Sequence, residues 1–151
     1  MKRGFLLLSL LFACASGPAP PAPPAPLDTA NETCQWCRMT VSEPRLAAQI
    51  VAPLEEPRFF DDIGCMRDYL ASAKSLSEDA MAYVADHRTS AWVSATQAVY
   101  TKVPTLETPM KSHLVAHVDT ASRDQDPSAG SGATLTARDV FGSSGPPGAR
   151  P

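Results

Sequence analysis

Six prolines crowd positions 18, 20, 21, 23, 24 and 26 of an alanine-rich stretch, and that stretch decides where a fold can begin. Proline offers no backbone N–H and fixes φ, so residues 16–27 can join neither a helix nor a central strand. They read as a disordered but stiff polyproline linker. At about 3.1 Å per residue it would hold a following domain roughly 30 Å from its attachment. Upstream, Lys2 and Arg3 precede an apolar run, Phe5 to Ala13, too short to span a bilayer as a helix. Residues 1–13 therefore read as an export signal. Leu11-Phe12-Ala13-Cys14 has the form of a lipobox, in which Cys14 is lipidated and becomes the mature N-terminus; the alternative is cleavage after Ala15. Residues 14–30 are then a lipidated N-terminus and linker. The expected location is the periplasmic face of a bacterial membrane, the outer membrane, with the bilayer reached through the lipid anchor.

The other end is also poor in core-forming residues. The segments 122–131 and 142–151 are rich in Ser, Gly, Pro and Asp, and residues 122–151 read as a loose tail with one last strand and turn over 133–141. Between these ends, 31–121 is long enough for one small core. The net charge of −3 supplies no basic stripe for phosphates, which argues against nucleic-acid binding.

Within that domain, 47–51 and 58–60 read as strands joined by the turn Pro53-Leu54-Glu55-Glu56-Pro57. Asp61 or Asp62 can cap a helix whose core face is Ile63, Met66, Leu70 and Ala73. A second strand pair, 81–85 and 91–93, leads to a helical turn capped by Ser94, so the strand-strand-helix unit is expected twice. Strands over 99–103 and 113–118 follow. The class is α+β, with small antiparallel sheets built from two repeated strand-strand-helix units.

The chemistry is concentrated in sulfur. With Cys14 lipidated, three cysteines remain, an odd number for an exported chain, so at least one thiol is free or bound to something. Cys34 and Cys37 have the C-x-x-C spacing that lets two sulfurs converge on one ion or close a disulfide, and Met39 lies beside them. A thioredoxin-like pair needs a long helix after the motif, whereas Val41 and Pro44 forbid one here. A structural zinc site asks for four ligands, and no second C-x-x-C or His pair stands at a suitable distance. Cu(I) is satisfied by two or three soft ligands. Cys65, in the first helical turn, is a further thiolate candidate. Met110 lies in a proline-containing loop, and His113 and His117 are spaced to share one face of a strand. A thiol-disulfide oxidoreductase using Cys34 and Cys37, and a structural or partner-binding lipoprotein without metal, stand as the alternatives.

Cys37-Arg38-Met39, Gln49-Ile50-Val51 and above all Phe59-Phe60-Asp61-Asp62-Ile63-Gly64-Cys65-Met66 resemble the NosL family, as do Tyr83 to Asp86, Trp92 to Ala95, Ala98 to Tyr100, Pro109-Met110 and Leu114 to Ala116. Members are membrane-anchored copper-binding lipoproteins that assist maturation of nitrous oxide reductase. The resemblance implies a Cu(I) carrier rather than an enzyme, taking copper from a donor and passing it to a cuproenzyme such as nitrous oxide reductase. It implies Cys37 and Met110 as ligands, with Cys34, Met39, Cys65 or His113 completing the set. Arg38 stands where the family motif has glycine, and Lys111-Ser112-His113 stands for Gly-Tyr-Gly.

Overall fold

Ala48–Val51 is apolar apart from Gln49, and all four residues are buried, which is the burial of a strand covered on both faces. It is the centre of the first sheet. This strand, β1, pairs antiparallel with β2 (Arg58–Phe60) on one side and β3 (Met81–Ala85) on the other; β4 (Trp92–Ser94) adds to β3. The computed structural model describes residues 20–72 and 75–148, so the expected export signal, Cys14 and Ala73 lie outside the described residues. No helix among the described residues is long and apolar enough to cross a membrane.

The helix α1 (Ile63–Ser72) starts directly after Asp61-Asp62 and buries Ile63, Gly64, Cys65 and Met66. Its core face is therefore concentrated at its N-terminal end, above β1 and β2. The second sheet has the order β6-β5-β7, with β5 (Val99–Lys102) between β6 (Leu114–His117) and β7 (Ala133–Leu135), all antiparallel. Two five-residue helices complete the fold, α2 (Thr120–Asp124) and α3 (Ala137–Phe141).

Two small antiparallel sheets with few helices bear out the α+β expectation. The strand pair expected at 81–85 and 91–93 is β3 and β4, and the helical turn expected from Ser94 follows it, with the Gln97 and Ala98 amides donating to the Ser94 carbonyl. A strand-strand-helix order also recurs as β5-β6-α2. With the strand that follows each helix, β1-β2-α1-β3 and β5-β6-α2-β7 share one topology: first strand central, second on one side, last on the other. The two units meet at a seam, where Asp86 bridges Ala116 in parallel and the His87 amide donates to the Ala116 carbonyl at 2.8 Å. The Asp86 carboxylate accepts from the Val118 amide and the Ser122 hydroxyl across that seam, both at 2.8 Å.

Both flanks make defined contacts. The Tyr83 hydroxyl donates to the Ala22 carbonyl at 2.7 Å. The Gln49 side chain accepts from the Ala25 amide and donates to its carbonyl. A buried amide in a central strand requires such partners, so the linker from Ala22 to Ala25 lies along the sheet. Past Asp119, β7 and α3 occupy the expected 133–141 segment. Gly132 passes so close to β5 that a Cβ there would lie 2.3 Å from Thr101 Cγ2. Thr136 and Asp139 form a reciprocal capping box on α3, and Phe141 meets the buried Tyr100 ring edge-on at 5.7 Å.

Candidate metal centre

Cys34 and Cys37 sit in a tight hairpin. The Cys34 amide donates to the Met39 carbonyl at 2.7 Å, Thr33 bridges Thr40, and the Val41 amide closes on Glu32. Inside the loop the Arg38 amide returns to the Cys34 carbonyl, with Arg38 held at φ +69°. That is left-handed backbone, which favours glycine, and glycine is the residue the related motif carries at this position. The Gln35 amide donates to the Phe59 carbonyl of β2, which fixes the hairpin beside the start of α1.

The start of α1 supplies the rest. Asp61 and Asp62 have separate tasks. Asp62 Oδ1 accepts from the Gly64 amide at 2.6 Å and caps the helix; its other oxygen accepts from the Thr108 hydroxyl at 2.7 Å and the Met110 amide at 3.0 Å. Asp61 faces the hairpin, with Cys37 Sγ 3.3 Å from both of its carboxylate oxygens. The pair is thus more than the cap expected from sequence. Cys65, in the first turn, completes a group in which the ligand atoms of Cys34, Cys37, Asp61 and Cys65 all lie within 4.8 Å of one another. Cys34, Asp61 and Cys65 are buried and Cys37 is partly exposed. All three cysteines are free thiols.

Proximity sets their acidities. A hydrogen bond from the Cys65 thiol to the Cys34 sulfur draws Cys34 down to about 6, opposed by burial. The same contact with Cys34, reinforced by burial, raises Cys65 well above a normal thiol, so the two share one proton that is hard to remove. Burial pushes Cys37 up to about 11; its neighbours Cys34 and Asp61 act in the same direction, and the Met39 amide against it. Cys34 is therefore the most acidic of the three thiols, and an incoming cation must displace protons to engage the others.

Three thiols and a carboxylate suit soft or borderline ions. The fourth donor that a zinc site requires, which the sequence did not reveal, is supplied by Asp61. Met110 is not distant from this group in the fold: the carboxylate next to Asp61 carries its loop. A Cβ on Gly64 would lie 2.7 Å from Ser112 Cβ, so the loop rests directly on the helix start. Met39 and Met110 are each 45 % exposed, and Trp36 42 %.

His113 and His117 do not share a strand face. His113 precedes β6 with φ +59°, and its Nδ1 contacts the Leu106 carbonyl at 2.8 Å. His117 ends β6 fully buried. Its Nε2 lies 3.0 Å from Asp126 Oδ2, and His87 Nδ1 approaches the same oxygen at 2.6 Å. Neither His87 nor Asp126 carries a local sequence signal, since the contact spans 39 positions and Asp126 lies in the Ser/Gly/Pro/Asp-rich segment 122–131.

No curated protein and no solved structure matches the chain. Residues 24–143 match the NosL family model, from the linker segment on the first sheet to the end of α3.

Proposed function

The chain belongs to the NosL family, and from that premise we propose that it is a lipid-anchored extracytoplasmic Cu(I) carrier. The observation that carries the reading is the convergence of Cys34, Cys37 and Cys65 with Asp61 at the start of α1. Cu(I) is the cargo. Cys37, the partly exposed thiol, and Met110, on the loop above, are the ligands a partner can reach, and they fit the two implied by the family motifs. Cys34 and Cys65 lie behind them as a buried pair of sulfurs.

A carrier must release as well as bind. Few ligands at a half-exposed rim let a sulfur or imidazole of the acceptor enter before the first ligand leaves, so transfer passes through a shared intermediate. Thioethers assist because they coordinate without a proton to lose. Attachment through Cys14 at the periplasmic face of the outer membrane would keep the carrier where exported cuproenzymes are metallated. Nitrous oxide reductase is the acceptor that the family suggests.

The closed Cys3Asp donor set favours one competing reading, a structural zinc site. A Cu(I) titration against a chromophoric chelator separates them. The carrier reading expects one Cu(I) per chain, with affinity falling at least about tenfold in Cys37→Ser and again in Met110→Ala. Wild-type affinity in the double variant would overturn the ligand assignment. Bound Zn2+ that Cu(I) fails to displace would favour the structural site. Disulfide reductase activity without metal would favour the oxidoreductase.

A further inference from the structure

The seam between the two units carries a donor cluster of its own, with His87 from the β3–β4 turn and His117 and Asp126 from the second unit. His87, His117 and Asp126 are 5 %, 0 % and 4 % exposed, and their ligand atoms lie within 4.8 Å of one another. We propose that these three residues form a second metal site, for a borderline divalent cation of the Zn2+ and Cu2+ class, distinct from the thiol centre.

Two imidazoles and one carboxylate are the donor set such ions take in three-ligand sites that leave a further position open. The geometry is close to what coordination requires. With metal–ligand bonds of about 2.0–2.1 Å, tetrahedral donors sit about 3.3 Å apart. The His87 and His117 nitrogens already stand 2.6 and 3.0 Å from one oxygen of Asp126, so an ion enters by a small opening of the cluster. The two rings meet edge-on, with centroids 6.2 Å apart, so both can aim a nitrogen at a common point. The other Asp126 oxygen accepts from the Ser128 amide at 2.8 Å, which orients the carboxylate.

A second observation concerns the His117 ring. Its Nδ1 is fully buried and has no hydrogen-bond partner. The Asp126 carboxylate holds the proton on Nε2, which leaves Nδ1 as a buried acceptor with nothing to accept, and the proton passes there when Nε2 turns its lone pair to an ion. Binding then replaces N–H···O contacts with metal bonds.

Topology points the same way. His117 stands at the β6–α2 junction as Asp61 stands at the β2–α1 junction, so each unit offers one donor at the same place.

The test uses the full chain with 15N-labelled histidines, to which ZnCl2 is added in excess. The expected result is that His87 Nδ1 and His117 Nε2 move to metal-bound shifts while the His113 ring does not. In a parallel titration, His87→Ala lowers the affinity of this site at least about 100-fold. Ring nitrogens of His87 and His117 that stay unchanged in wild-type protein while Zn2+ binds elsewhere would overturn the proposal, whatever the variant's folding. So would unchanged binding in a folded His87→Ala. Neither readout depends on the thiol centre's carrying copper.

Discussion

Asp62 is the residue whose removal should be felt most widely. Its carboxylate is buried, no salt bridge among the described residues reaches it, and it is satisfied by three donors: the Gly64 amide, the Thr108 hydroxyl and the Met110 amide. In Asp62→Ala the hydroxyl can turn elsewhere, but two amides lose their acceptor. Each stranded donor costs about 1–3 kcal/mol. Relief from burying a charge offsets part of this, which leaves a net loss of about 3 kcal/mol. For a domain of this size that is a fall in Tm of about 10 °C. Asp62→Asn keeps one acceptor oxygen and should cost about half as much. Urea unfolding monitored by circular dichroism reads the loss as a lower midpoint at unchanged slope. Hydrogen exchange localises it, because the Met110 amide should lose its protection well before β1 does. If Asp62→Ala cost under about 0.5 kcal/mol with the Met110 amide still protected, the carboxylate would not be what holds the methionine loop on the helix.

Other outcomes follow from single positions. Arg38 and Lys111 are held at φ +69° and +56°, so Arg38→Gly and Lys111→Gly should each stabilise by about 0.5–1 kcal/mol in the same urea assay, the relief of left-handed strain exceeding glycine's entropy. His113→Gly, at φ +59°, should come out near neutral because the Leu106 contact goes with the ring. Gly132→Ala forces a Cβ to 2.3 Å from Thr101 Cγ2 and 2.8 Å from the Lys102 carbonyl; it should cost about 2–3 kcal/mol and loosen β7, seen as faster exchange of the Thr101 and Thr134 amides. Thr136→Ala removes one side of the α3 capping box and should cost about 1 kcal/mol in thermal unfolding.

The first unit was legible because its signals are local. The apolar run of β1, the two prolines of the turn and the Asp-Asp pair all act within a few residues. The unit β5-β6-α2 was not legible, because a five-residue helix has no periodicity to detect and the unit resembles the first only in pairing order. The three sulfurs were found from the C-x-x-C spacing and the helix start. Asp61 was missed although one fact pointed to it: a single carboxylate suffices to cap a helix, so the other was available. His87 and Asp126 could not be found this way, since their pairing depends on how the seam brings the two units together. The glycine positions of the family motifs became intelligible only with the backbone. Arg38, Lys111 and His113 keep the left-handed turns that glycine would make without strain.

The Asp86 seam has a consequence for how the molecule fails. Its carboxylate accepts from Arg88, from both the amide and the hydroxyl of Thr89, and across the seam from Val118 and Ser122. Those hydrogen bonds hold it below the usual carboxylate range, although burial alone would raise it. Five donors on one buried group cannot be released a few at a time without stranding it, so neither half can melt and leave the other intact. The chain should unfold in one cooperative step, and amides at Ala116 and His87 should exchange only when everything opens. A ligand taken up in one half would then raise the resistance to unfolding of the other, although nothing in that half has touched it.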